Sequence, residues 1–281
     1  MLSSVSILTA YEHLSYNQKL VNESLHRLST GLRINKASDG PSGLAIADKL
    51  RTQASSIGQS IQNANNGIAL IQIADRAMGE QSNILDMVKQ KLIQARTAST
   101  SDEGREAIRK DISKLLIQLD NIASQTNYNR TNLLQADSND SSTTSSLVFQ
   151  VGERAINTIS TSGGIQANTL GLSLDGLKNL TENSLDTDTA ANWFDKIDTA
   201  IDTLNNFIAD FGSTQNQLES SIRYMHTMHT QLKASESVIR DVDYAREFAT
   251  LNKLQLITQA GIFALVQAQK VQENILRLLW R

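Results

Sequence analysis

Cysteine is absent from this 281-residue chain, which excludes disulfides, thiolate chemistry and cysteine-based metal sites. Proline occurs once, at Pro41, so long helices meet almost no residue that would break them. Aromatic residues make up only 5%, which removes the large side chains that usually anchor a compact core. Neither sign of charge dominates: 26 Lys and Arg stand against 29 Asp and Glu. A phosphate-binding surface needs a basic excess, so no nucleic-acid partner is expected. The least charged stretch, Leu254 to Gln269 between Lys253 and Lys270, is interrupted by Gln255, Gln259 and Gln267. It falls short of a membrane span, and no membrane partner is expected. The first residues, Met1-Leu2-Ser3-Ser4-Val5, lack the basic and apolar regions of a Sec-type signal peptide.

Catalytic signatures are missing too. The sequence holds no HExxH, GxSxG, P-loop or GxGxxG pattern, so the common zinc, nucleophile and phosphate motifs all fail. His226 and His229 stand three apart in Met-His-Thr-Met-His, but a metal normally needs three or four ligands and no third is near. Asp241 and Asp243 sit at a helix boundary, where carboxylates serve as caps more often than as an acid–base pair. Neither an enzyme nor a cofactor or metal site is expected.

What the sequence does have is helical periodicity, with apolar residues recurring at alternating spacings of three and four. The first series is Ile7, Tyr11, Leu14, Val21, Leu25, Leu28 and Leu32, with Gln18 as a polar interruption. A second runs after Pro41 through Leu50, Ala54, Ile57, Ile61, Ala64, Ile68, Ile71, Met78, Leu85 and Leu92. Thr100 to Gly104 reads as a turn with capping chemistry, before a helix carrying Ile108, Ile112, Leu115, Leu119 and Ile122 that Asn127 to Arg130 ends. From Trp193 the register returns through Ile197, Leu204, Phe211, Leu218 and Met225 to Ile239. A joint is expected at Asp241-Val242-Asp243-Tyr244. The last helix sets Ile257, Gly261, Ala264, Ala268, Val271, Ile275 and Leu278 on one stripe, widened by Leu254, Ile262 and Leu265.

Between the helical ends lies a polar loop, residues 137–146, with no apolar anchor. The short runs Leu147 to Gly152 and Ala155 to Ser160, followed by Gly163-Gly164, suggest a hairpin and carry the only clear β signal. The pattern predicts a mainly α fold: a long coiled-coil or helix-bundle rod with paired N- and C-terminal helices and a small central β-hairpin around 147–175. Helices of about 40 residues would run ~60 Å and could bury their stripes only against each other or against other subunits.

The two ends also carry a family resemblance. Leu28-Ser29-Thr30-Gly31-Leu32-Arg33-Ile34-Asn35, continuing through Lys36-Ala37-Ser38-Asp39 to Gly43-Leu44-Ala45-Ile46-Ala47, closely resembles the N-terminal signature of bacterial flagellins. Asp241-Val242-Asp243-Tyr244-Ala245, Gln259-Ala260-Gly261 and Ala268 through Leu279 resemble the flagellin C-terminus. The likeness covers roughly residues 1–135 and 190–281, and Phe149-Gln150-Val151-Gly152 looks like the family's hairpin. Gly40-Pro41-Ser42 departs from the commoner Asp-Ala-Ala and implies a stiffer turn. Only about 20 residues separate Leu172 from Trp193, where flagellins usually insert variable outer domains; too few remain for an independent fold.

The resemblance implies a structural subunit of the flagellar filament, located outside the cell. Residues 1–40 with 241–281 would form the inner terminal-helix domain, and 41–240 the surrounding helical domain, with no outer domains. Assembly would run through Leu25, Leu28, Leu32, Ile257, Gly261, Ala264, Ala268, Val271, Ile275 and Leu278, and the joint between domains through Asp39, Gly40, Pro41, Asp241 and Asp243. The implied partners are other copies of the chain, a flagellin export chaperone, the flagellar type III export apparatus, and the filament cap and hook–filament junction proteins. A junction protein of the same flagellin-like family is the runner-up reading; the long C-terminal match favours a filament subunit. Family members that activate the vertebrate innate immune receptor for flagellin carry an Arg-x-Arg-Glu-Leu pattern. Here the matching stretch reads Met87-Val88-Lys89-Gln90-Lys91, with Met87 in place of the first Arg and Lys91 in place of the Leu, which implies poor recognition.

Overall fold

A computed structural model describes residues 2–135, 144, 146–182 and 184–279. Most of the polar loop expected at 137–146 therefore lies outside the described residues. The chain divides into two compact units: Met1–Ala54 with Thr230–Arg281, and Ser55–His229.

The first unit is built on α1 (Leu2–Thr30) and α6 (Tyr244–Leu279), which pack along each other. It also holds the start of α2 (Pro41–Arg96) and the end of α5 (Thr187–Arg240). Pro41 is the first residue of α2, where its missing N–H costs nothing and its fixed φ suits the helix. On α1 the inward stripe is Ile7, Ala10, Leu14, Asn17, Val21, Ser24 and Leu28, while Tyr11, Gln18 and Leu25 are exposed. The seam thus keeps a spacing of three and four, but Asn17 rather than Gln18 is its polar member. On α6 the matching stripe is Glu247, Leu251, Leu254, Thr258, Gly261, Leu265 and Ala268. A Cβ on Gly261 would lie 3.4 Å from Leu14 Cδ1, so the absent side chain lets Leu14 seat against the α6 backbone.

The second unit packs most of α2 and α5 with α3 (Asp102–Gln125). Ser101 caps α3, its hydroxyl accepting from the Gly104 N–H at 3.2 Å, and Asp102 and Glu103 fill the first turn, where the helix dipole favours acids. The α3 stripe is Ile108, Ile112, Leu116, Leu119 and Ala123; Leu115 and Ile122, expected on it, are only half-buried. Met78, Leu85 and Leu92 of α2 and Leu204, Phe211 and Leu218 of α5 complete the core. Buried Gln81 ties the layers, donating to Leu119 O at 3.2 Å and Ala167 O at 2.7 Å.

Among the described residues, two antiparallel strand pairs decorate this bundle. In the expected hairpin, β3 (Val148–Gln150) pairs with β4 (Thr158–Ser160) in the register Phe149↔Ile159. It fits because Gly67 of α2 makes room for the Phe149 ring: a Cβ there would lie 2.8 Å from Phe149 Cδ1. The other pair was not evident from the sequence: β1 (Asn127–Tyr128) and β2 (Thr131–Asn132) close on a tight turn with Asn129 at φ 48° and Arg130 at φ 66°. A four-residue helix, α4 (Asp175–Lys178), packs on α3.

Candidate assembly site

Where α1 ends, the chain turns at Gly31, whose φ is +71°; its N–H bonds to Arg27 O at 2.9 Å, a left-handed helix stop that glycine adopts without steric cost. The next residues pair with the end of α5. Arg33 N–H donates to Arg240 O at 2.7 Å, Val242 N–H to Gly31 O at 3.0 Å, and Leu32 bridges Asp241. The Arg33 guanidinium caps the open carbonyls of α5, donating to Ile239 O at 2.6 Å and Val238 O at 3.3 Å. The two breaks between helices, one near each end of the chain, are therefore one hydrogen-bonded clasp.

The expected joint residues lie in or beside it. Asp39 Oδ2 accepts from the backbone N–H of Lys36 and of Asn35, both at 3.0 Å, and these bonds hold its carboxyl below the usual carboxylate range. Gly40 supplies the carbonyl that accepts the first bond of α2, from Leu44 N–H at 2.9 Å, and Pro41 follows. Asp241 sits between α5 and α6 and accepts from the Ser237 hydroxyl; Asp243 accepts from the Arg246 N–H at 3.2 Å, capping α6. Arg33, absent from the expected set, is marked in the sequence by its place between two helix ends and within the Leu28–Asn35 stretch.

Beyond the clasp the α1–α6 seam carries polar pins. Asn17 donates to Leu254 O at 2.9 Å and to the Thr258 hydroxyl, and Arg27 lies 3.6 Å from Glu247. A polar residue in a coiled seam fixes register at some cost in stability. Of the expected assembly residues, Gly261 and Ala268 lie on this seam and Leu28 and Leu32 are half-buried, whereas Leu25, Ile257, Ala264 and Val271 face outward. Ile275 and Leu278 lie on α6, with side chains outside the described residues.

The outward surface is unusually apolar. Phe263 is 76% exposed, Leu256 66% and Leu8 61%, and Val5, Tyr11, Tyr16, Phe248, Ile262 and Val266 are exposed as well. Leu256, Ile257, Ile262 and Phe263 are spread around α6 rather than gathered on one face, and no charge falls between Lys253 and Lys270. Apart from Gln255, Gln259, Gln267 and Gln269, apolar side chains point to several sides of this stretch, a pattern that calls for burial on more than one side, yet here one stripe alone is covered. Beside the seam a groove of about 610 Å³ opens between Tyr11, Leu14, Gln18, Thr258 and Ile262. In the other unit, Met87 is exposed and Lys91 pairs with Asp111 at 3.0 Å. No helix of the described residues is long and apolar enough to cross a membrane.

Comparison with known proteins decides what such ends are for. The model of the bacterial flagellin N-terminal helical region matches residues 2–139, and that of the bacterial flagellin C-terminal helical region matches residues 194–279. The chain belongs to the flagellin family. It is 32% identical to the flagellar filament 33 kDa core protein of Treponema phagedenis, over 98% of both chains. It is 33% identical to the flagellin of Bacillus subtilis, again over 98% of both. A solved structure provisionally assigned as a flagellar hook-associated protein of Vibrio parahaemolyticus is 12% identical. Its TM-score is 0.58, over 72% of this chain and 99% of that one, a likeness that shows the fold alone. This flagellin is a structural subunit of the flagellar filament, and the hook–filament junction reading is not favoured. Its match to relatives of its own length, end to end, agrees with a short form.

Proposed function

We propose that this flagellin polymerises through α1 and α6, whose exposed apolar faces are covered by the same helices of neighbouring subunits. The observation that carries this reading is α6 between Lys253 and Lys270: uncharged, with Leu256, Ile257, Ile262 and Phe263 exposed on several sides and one stripe alone packed. Exposed apolar surface on this scale marks an interaction site, and in a homopolymer the partner is another copy. Leu25, Ile257, Ala264 and Val271 belong to that contact, while Gly261 and Ala268 hold α6 against α1 within the subunit.

In this reading residues 1–40 with 241–281 form the inner layer of the filament wall and 41–240 the layer around it, with no outer domain beyond, so the filament is thin and smooth. The subunit leaves the cell unfolded through the flagellar type III apparatus, its C-terminal region held by an export chaperone. It then adds at the distal tip beneath the cap, in a filament joined to the hook by junction proteins. Segments that cannot bury their apolar faces alone gain order on binding, which suits a chain that travels unfolded. The role is structural and requires no catalytic group.

Removing residues 241–281 tests it. The truncated chain is expected to stay soluble and partly helical and to form no filaments; sedimentable filaments from it would refute the proposal.

A further inference from the structure

The hairpin Asn127–Asn132 is exposed over its whole length, yet its base is firmly set. Thr126 accepts from Leu133 N–H at 3.2 Å, and Thr126, Leu133, Leu134 and Gln135 are buried beneath it. At its tip Asn129 and Arg130 both have positive φ, the turn geometry in which Asn-Gly is strongly preferred. Asn tolerates that conformation; Arg does not adopt it without strain. No side-chain hydrogen bond or ion pair of Arg130 is found among the described residues, and neighbouring Tyr128, 38% exposed, makes none through its side chain either. A strained residue retained where glycine would be easier invites a functional reason, and Arg and Tyr are the residue types that dominate protein contacts.

The same unit offers the complementary charge. Asp188, Asp195 and Asp202 recur every seven residues on one face of α5, all exposed and none in an ion pair among the described residues. A guanidinium bonds a carboxylate through two parallel N–H groups, which gives such a contact direction as well as attraction. We propose that the Asn127–Asn132 hairpin is a subunit–subunit contact of the filament, in which Arg130 pairs with the aspartate row on α5 of a second copy. In this pairing the strain of Arg130 is tolerated because glycine, the easier residue at that turn, would bring no guanidinium to the row. This rests on the filament reading above and assigns one lateral contact within it.

The test is assembly of purified full-length chain, wild type against Arg130→Gly. Glycine relieves the turn, so the isolated variant is expected to melt at the wild-type temperature or higher while its critical concentration for polymerisation rises about tenfold. Added salt weakens wild-type assembly and closes the gap. Asp195→Lys with Asp202→Lys reproduces the loss, and combining that pair with Arg130→Glu restores assembly. The proposal is overturned if Arg130→Gly assembles like wild type, if it melts lower than wild type (Arg130 then serves its own subunit), or if the aspartate variant assembles normally. Wild-type chain that forms no filament, or a chain lacking residues 241–281 that does, would instead reject the filament reading.

Discussion

Replacing Gly31 by alanine sets two effects against each other at the clasp. The first is conformational: at φ +71° an L-residue with a Cβ pays about 1–2 kcal/mol. The second is a contact, since the new Cβ would lie 2.9 Å from Tyr244 Oη and 3.9 Å from Cζ. Tyr244 is 51% exposed, so its ring can swing into solvent, and the contact is the smaller effect. Alanine also narrows the unfolded ensemble, which returns roughly 0.4–1 kcal/mol. The net is a destabilisation of about 1 kcal/mol, or roughly fivefold in the opening equilibrium. The Val242 and Arg33 amides donate across the clasp, so hydrogen exchange at those two positions in assembled filaments reads it directly: both should lose about fivefold in protection. Gly31→Asn should lose less, because asparagine tolerates the left-handed region. Tyr244→Phe, added to the alanine variant, removes the Oη contact and should recover little. Full recovery by Tyr244→Phe would show that the contact dominates, and unchanged exchange in Gly31→Ala would refute the reasoning altogether.

Three further outcomes follow from other positions. Gly67→Ala places a Cβ 2.8 Å from the Phe149 ring; the hairpin must shift, at about 1–3 kcal/mol in urea unfolding, and Phe149→Leu in the same background should relieve part of it. Because the N–H groups of Lys36 and Asn35 lower the Asp39 pKa, the stabilisation it adds is present above the unfolded carboxylate value and lost as pH falls through the lowered one. Asp39→Asn should therefore flatten the acid dependence of exchange at the clasp while its effect fades below that range. Finally, Met87→Arg with Lys91→Leu should raise activation of an innate-receptor reporter by monomer. The structure makes the exchange testable, since Met87 is exposed and the Lys91 pair with Asp111 is at the surface, where its loss costs little; strong activation by the unmodified chain would rule the expectation out.

How far the sequence reaches is plain from particular elements. The near absence of proline and the sustained period of three and four predicted helices where α1, α2, α3, α5 and α6 stand, because helix formation and amphipathic stripes are local properties. Ser101 and Pro41 marked helix starts for equally local reasons. The β1–β2 hairpin left no such mark: strands of two residues are too short to alternate, and Arg130 is no turn signal, so its left-handed φ shows only in the folded chain, where Leu133 N–H bonds Thr126 O at the hairpin's base. The clasp was legible only as two separate breaks. That Arg33 reaches the carbonyls of α5 depends on bringing together residues about 205 apart in the chain. The seam shows the division most clearly. Along α6 between Lys253 and Lys270 apolar residues fall on several faces, so periodicity alone supports several overlapping stripes, including one through Ile257, Ala264 and Val271. Tertiary packing decides among them: Asn17 must reach Leu254 O and Thr258, and Leu14 must seat on Gly261. Those contacts turn the Glu247–Ala268 stripe onto α1 and leave Ile257, Ala264 and Val271 facing outward. A one-dimensional pattern records how apolar a helix is, but which side is inside depends on the partner's shape and on where its polar side chains find acceptors.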